Sequence, residues 1–246
     1  YLIKTLRDGG YLNDNVETVV GKGLEKYCQE PYLLNGELKW KNSPSESLDD
    51  SVLRSYNAPF SSTGGLKCLK GNLGRSIIKV SSVKEEHRKV TAKARVFTDQ
   101  DDVMTAFKKG ELNKDVIVVV KNQGALTNGM PELHKLTPSL TILQNQGYKV
   151  ALVTDGRMSG ASGKVPAAIH LSPESSMGGN VSKLEDGDLI ELDAVAGTLN
   201  CINFDEVQKR SIKVNQNLNS YGVGRELFNA VRPLITTSEE GASFII

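Results

Sequence analysis

The chain has 246 residues, with 30 Lys and Arg against 29 Asp and Glu and a net charge of +1. It lacks the basic excess with which proteins grip a phosphate backbone, so nucleic acid is not an expected partner. No apolar run approaches the roughly 20 residues that span a bilayer, and the opening YLIKTLRDGGYL lacks the order of a signal peptide, so a soluble cytoplasmic protein away from membranes is expected.

In chain order, Leu2, Ile3 and Leu6, then Val16, Val19 and Val20, recur at roughly helical intervals around a Gly9-Gly10 break, and the first twenty or so residues read as helical. From about Glu30 to Gly65 the chain turns to Asn, Ser, Pro and Gly, with a hairpin signal at Asn35-Gly36. A domain boundary is expected near Ser61 to Gly65, giving segments 1–63 and 64–246. Beyond it, short strands alternate with helices. Ser76 to Val80 and Val116 to Lys121 are β-branched runs, and between them lies a fully punctuated helix. Thr98 or Asp99 caps it, Asp101 and Asp102 sit at its positive end, Lys108 and Lys109 at its negative end, and Gly110 stops it.

Two further helical stretches are expected, Pro131 to Leu136 and Pro138 to Gln146, followed by a buried strand from Lys149 to Thr154 and another from Asp188 to Asp193. The tail reads as helical around Arg225 to Val231. With no internal repeat, the downstream part is a mixed α/β domain. Cys28, Cys68 and Cys201 are widely separated, odd in number and outside any CxxC or Cys/His spacing, which argues against a disulfide framework and a zinc site.

The stretch YKVALVTDGRMSGASGKVPAAIHLSPE, residues 148–174, carries most of the chemistry. An apolar strand runs into Asp155-Gly156-Arg157-Met158-Ser159-Gly160-Ala161-Ser162-Gly163, where glycines let backbone N–H groups approach a bound anion. Met158 stands where a Walker A loop needs its first glycine, and Val165 follows Lys164. Arg157 and Ala161 flank Ser159 where a hydrolase elbow needs glycines. Both motifs fail, leaving an anion cradle or a plain glycine-rich turn from strand to helix. In NGMPELH, residues 128–134, Pro131 suits the first position of a helix and places Glu132 in its first turn, facing a ligand or hard cation, or simply solvated. His87, His134 and His170 show no metal-ligand spacing. Gly71-Asn72-Leu73-Gly74 is most economically a turn, with amides that could also line a ligand cavity.

Taken together, NGMPELHKLTP, VALVTDGRMSGASGKVPAAIHLSPE, GGLKCLKGNLGRSIIKVS and EHRKV resemble the family that joins dihydroxy-acid dehydratase and phosphogluconate dehydratase. The likeness extends over nearly the whole chain, and GRMSGASGK with PELHK favours the phosphogluconate branch over the amino-acid branch, whose serine loop reads closer to TDGRFSGGTRG. The resemblance implies a large N-terminal domain, holding an iron-sulfur cluster and most ligands of a divalent metal such as Mg. It implies a swivelling β/β/α domain with a mixed sheet or barrel from about Gly64, preceded by helices and linker from the end of the larger domain. It implies dehydration of 6-phospho-D-gluconate in the Entner-Doudoroff pathway by a homodimer whose cluster ligands lie outside this chain, so the chain alone should be inactive. By resemblance Ser159 is the alkoxide base and Glu132 a metal ligand. Arg157, Gly160, Ser162 and Lys164 are weaker candidates for contacts to the phosphorylated sugar acid, since a cation beside a glycine-rich loop suits an anion. Another sugar acid or dihydroxy acid as substrate, and a non-catalytic anion-binding module, are the competing readings.

Overall fold

The computed structural model describes residues 1–159, 163–212, 222 and 224–245, and the chain divides after Thr63 into two units. In the first, helix α1 (Leu2–Asp8) is all that forms of the expected N-terminal helical stretch. Val16 to Lys22 instead makes a minimal antiparallel pair, β1 (Glu17–Thr18) with β2 (Gly21–Lys22). The β-branched run favours extended backbone, Gly21 supplies a positive φ of 117°, and the Thr18 hydroxyl donates to the Gly21 carbonyl at 2.6 Å. The hairpin β3 (Gln29–Leu34) and β4 (Glu37–Asn42) forms where Asn35-Gly36 predicts it. Asn35 and Gly36 both have positive φ, 53° and 82°, as a two-residue type I′ turn demands. The expectation of helices in this segment is thus corrected to one α-helix, a short 3-10 turn at Glu25–Cys28 and two hairpin-like pairs. Leu33, Leu34, Leu38 and Trp40 stand exposed on the second of these.

The second unit, Gly64–Ile246, is built on a closed eight-stranded barrel. Its strands are β5 (Leu66–Gly71), β6 (Gly74–Lys79), β7 (Lys89–Phe97), β8 (Val116–Val120), β9 (Val150–Thr154), β10 (Ala167–Ser172), β11 (Leu189–Asp193) and β12 (Thr198–Cys201). Around the barrel they run β10-β6-β5-β12-β11-β7-β8-β9, with β9 closing on β10. The stretch β7, β8, β9, β10 is parallel, as is the β12–β5 pair; the remaining pairs are antiparallel. Parallel neighbours need crossovers. Helix α2 (Gln100–Lys108) joins β7 to β8, while α3 (Ala125–Asn128) and α4 (Leu136–Asn145) join β8 to β9. The third crossover, residues 155–166, is the glycine-rich serine loop, and its described residues contain no helix; the expected strand-to-helix turn is a strand-to-strand one.

All five residues of β8 are buried because both faces are covered. Ile117 and Val119 join Leu69, Ile78, Val153 and Leu192 in the barrel interior, while Val116, Val118 and Val120 pack outward with Val103, Leu136, Leu140 and Leu143 of the helical layer. Helix α2 forms as its punctuation dictates: the Asp99 side chain accepts from the Asp101 N–H at 2.8 Å, and Gly110 takes a φ of 75°. The expected helix from Pro131 to Leu136 does not form, and the chain turns helical only at Leu136. Gly129 and Met130 take left-handed conformations, φ 69° and 51°, and send the backbone into a parallel bridge between Glu132 and Arg157. The Leu133 N–H donates to the Arg157 carbonyl at 3.1 Å, and the Arg157 Nε–H to the Met130 carbonyl at 2.8 Å. These long-range bonds outweigh the local signal of a proline at a helix start. In the tail, α5 (Phe204–Gln208) is followed by α6 (Arg225–Phe228), shorter than the expected helix to Val231.

Candidate functional site

The carboxyl ends of β8 and β9 and the segment after β10 meet on two buried carboxylates. Asp155, 1% exposed, ends the β9 run and accepts N–H bonds from Asn122 at 3.2 Å, Gln123 at 2.8 Å and Ser175 at 2.9 Å. Burial pushes its carboxyl upward in pKa; the amides oppose that, and the charge of Glu174 adds to it. Glu174 in turn accepts from the Leu126 and Thr127 N–H groups at 3.0 and 2.9 Å and from the Thr127 hydroxyl at 2.7 Å. It thereby satisfies the first amides of α3, donors that a helix start leaves without partners. Gly124 is required beside it, since a Cβ there would fall onto the Glu174 carboxylate. Gly156 likewise lets β9 approach the β8 loop: a Cβ would stand 2.6 Å from that of Gln123. Both acids lie in the motifs quoted above, yet no spacing rule marks them, because their partners come from three separate loops.

Beyond this clamp the loop carries Arg157, Met158 and Ser159 outward. Ser159 is half-buried and lines a cavity of about 110 Å3, with Met158, Leu140, Leu152, Val165 and Ile169 among its apolar walls and Thr137 and Lys79 its other polar side chains. The cavity lies on the outer face of the barrel, where the covering helix α4 gives way to β6 and β5. Glu132 belongs to the same locality through its bridge to Arg157, two residues before the serine. Among the described residues its half-buried carboxylate has no hydrogen-bond donor or ion-pair partner, leaving its oxygens available to a ligand. Arg157 has its Nε committed to Met130, so any anion contact falls to its outer nitrogens. Lys164 is exposed and outside the cavity lining. Gly160 and Ser162, the other candidates, lie outside the described residues. The residue that sequence reasoning overlooks is Lys79, which barrel closure carries to the serine loop.

The remaining candidates fall elsewhere. The Gly71 to Gly74 turn ties β6 to β12, with the Asn72 N–H on Asn200 Oδ1 and its side-chain amide on the Cys201 carbonyl, rather than lining the serine cavity. His170 sits at an irregularity in β10 with φ 55°. Burial, and then the charge of Arg157, push its imidazole below the ordinary pKa. His134 is exposed and His87 lies beside Glu86.

The donor set can be tested against the cofactors that the resemblance implies. Among the described residues no three His, Cys, Asp or Glu side chains converge on a possible metal position. Glu132 offers one hard oxygen ligand, which fits a divalent cation held mainly by other groups. Cys68 and Cys201 do not fit a cluster: they stand apart on β5 and β12 with no third Cys or His beside them among the described residues, and the buried Cys201 has its thiol pushed up to about 11, chiefly by desolvation, whereas cluster ligands are thiolates. Among the described residues no helix is long and apolar enough to cross a membrane.

Residues 51–242 match the family described as dihydroxy-acid/6-phosphogluconate dehydratase C-terminal. A protein named phosphogluconate dehydratase from Pseudomonas aeruginosa is 52% identical over 98% of this chain and 40% of its own length. One of the same name from Escherichia coli K12 is 46% identical over 99% of this chain and 41% of its own. A dihydroxy-acid dehydratase 2 from Bradyrhizobium diazoefficiens is 34% identical over 91% and 37%. The chain thus spans about 40% of the length of the curated relatives it matches.

Proposed function

The chain belongs to the dihydroxy-acid/6-phosphogluconate dehydratase family, and on that premise we propose that it works as the C-terminal part of a phosphogluconate dehydratase. The reaction is loss of water from 6-phospho-D-gluconate to give 2-dehydro-3-deoxy-6-phosphogluconate, in the cytoplasmic Entner-Doudoroff pathway. The higher identity to relatives of that name than to the dihydroxy-acid dehydratase supports this substrate over a branched dihydroxy acid. The full-length enzyme is a homodimer with no nucleic-acid or membrane partner. Segment 1–63 closes its larger N-terminal domain, for which the exposed Leu33, Leu34, Leu38 and Trp40 offer an apolar packing surface, and segment 64–246 is the swivelling domain.

One observation carries the reading: a half-buried serine beyond the end of a parallel barrel strand faces a cavity, and a glutamate with no partner among the described residues is bridged to the same loop. Ser159 Oγ takes the proton from C2 of the substrate. The C2–H electron pair becomes the C2–C3 double bond as the C3 hydroxyl departs, and the enol so formed tautomerises to the 2-keto acid. An α-proton beside a carboxylate is too weak an acid for this without stabilisation of the developing charge. A divalent metal such as Mg2+ and an iron-sulfur cluster, when bound, supply that stabilisation and a Lewis acid for the leaving hydroxyl. Glu132 would ligate the metal, and no residue here is assigned to the cluster. The outer nitrogens of Arg157, the loop at Gly160 and Ser162, and Lys164 hold the anionic groups of the substrate. Alone, the chain has a base without a leaving-group acid and is inactive.

Replacing Ser159 by Ala in the full-length, cofactor-loaded enzyme tests the assignment. The expected result is a fall in kcat of about 1000-fold, with KM little changed, as loss of a general base predicts. A variant that keeps its kcat and loses only affinity would instead identify the loop as an anion-binding module.

A further inference from the structure

We propose that Lys79 is the positioning residue that makes Ser159 basic, its ammonium group sharing the cavity with the serine hydroxyl and favouring the alkoxide. This rests on the reading of Ser159 as the base. Lys79 closes β6, and its register partner on β5 is Leu66, another lining residue. Strand β6 pairs with β10, and β10 with β9, which leads into the serine loop. Residues far apart in sequence are therefore brought to one opening by barrel closure. The returning arm of the loop crosses the lysine stem: a Cβ on Gly163 would lie 3.5 Å from Lys79 Cδ and 3.0 Å from Ser82 Cβ.

The chemistry of the cavity calls for such a group. A serine hydroxyl is far too weak an acid to lose its proton at neutral pH, and apolar walls make the bare alkoxide costlier still. A cation within the same walls reverses that balance, because poor screening strengthens its attraction for the oxygen anion. Among the described residues that line the cavity, Lys79 is the sole cation. Its four-carbon stem can lie along apolar surface while the ammonium reaches the polar end. The other charged or titratable groups on the surrounding elements include Lys67, Cys68 and Lys70 on β5, Arg75 on β6, Lys135 before α4, Glu132 and Arg157 at the bridge, Lys164 before β10 and His170 within it, and none of these lines the cavity. Ser159 loses its proton to solvent before substrate binds, takes up the C2 proton in the reaction, and returns it to solvent afterwards.

Lys79→Met in the full-length, cofactor-loaded enzyme tests this by its kcat against pH. We expect kcat to fall about 100-fold, KM to stay within about threefold, and the pH at which kcat reaches half its plateau to rise by about one unit or more. Lys79→Arg, which keeps the charge, should return that pH midpoint toward the wild-type value, and also serves if the methionine variant fails to fold. A wild-type pH profile, a change confined to KM, or a fall in kcat without a shift of the midpoint would each overturn the inference. Ser159→Ala measured alongside separates the failures. If it retains wild-type kcat, the base assignment itself is wrong, whereas an inactive Ser159→Ala beside an unshifted Lys79→Met removes only the role of the lysine.

Discussion

Asp155 and Asp188 are both buried aspartates of the barrel unit, held by opposite means. Asp155 receives three backbone amides, from Asn122, Gln123 and Ser175, with the Ser175 hydroxyl beside them and no cation, and its carboxyl is pushed up. Asp188 receives a bidentate Arg210, at 2.6 and 2.9 Å, together with the Asn203 side chain and the Glu185 N–H. Burial alone would raise Asp188 too, but those bonds and the nearby positive charge bring it below the ordinary carboxylate value. A guanidinium fixes one side chain to another. Amide donors fix main chain, so Asp155 ties the exits of β8 and β9 to the segment after β10. Where the fold needs only to be fastened, a cation neutralises the acid; where three loops must keep their paths beside Ser159, the acid stays un-neutralised and the backbone holds it.

The most damaging way to break this contrast is Asp155→Ala. The Gln123 and Ser175 amides lose their acceptor and the Asn122 amide keeps only the Ser175 hydroxyl, so at about 1 to 3 kcal/mol for each orphaned donor, partly relieved by water, the chain should lose about 3 kcal/mol of stability in urea unfolding. A loss under about 1 kcal/mol would show that the loops do not depend on this carboxylate.

Next in size is Arg210→Met, which leaves Asp188, only 3% exposed in its side chain, without its cation. Part of the guanidinium faces water and is screened, so the expected cost is about 1 to 2 kcal/mol. Removing both charges, as Arg210→Met with Asp188→Asn, should cost less than the sum of the two single changes, because no carboxylate is then stranded. Strict additivity would mean the pair is not coupled.

The same contrast explains what could be read in the sequence. Helix α2, the Asn35-Gly36 turn, β8 and β9 are written in local terms, as caps, turn residues and apolar runs. Strand β7 is not, although it joins the antiparallel and parallel halves of the barrel. KVTAKARVF does alternate polar and apolar residues, but its inward Ala92 and Ala94 are small and poor strand formers, so it reads weakly beside the all-apolar runs of β8 and β9. The Pro131 segment misleads because its bridge partner, Arg157, lies across the fold. Ser159 is legible from its glycine-rich loop, but Lys79 becomes a candidate only once β6 closes on β10, and Asp155 acquires a role only when three loops converge on it.

The finest discrimination between the two acids is the sign of their pH dependence, read from Asp155→Asn and Asp188→Asn against the wild type. An unfolded aspartate titrates near 3.8. For Asp155 the folded carboxyl titrates higher, so as pH rises past 3.8 the unfolded chain ionises first and gains on the folded one. The penalty of Asp155→Asn should therefore be greatest in acid and shrink as pH climbs toward 7. For Asp188 the folded carboxyl titrates lower. Its contribution is complete above 3.8 and disappears as pH falls through the lowered value, so the penalty of Asp188→Asn should shrink toward acid instead. Each unit of difference between folded and unfolded titration is about 1.4 kcal/mol, enough to resolve in urea midpoints measured from pH 7 down to pH 3. Two penalties tilting the same way would mean that amides and a guanidinium hold these acids alike. Opposite tilts would locate the un-neutralised charge at the loop end of the barrel.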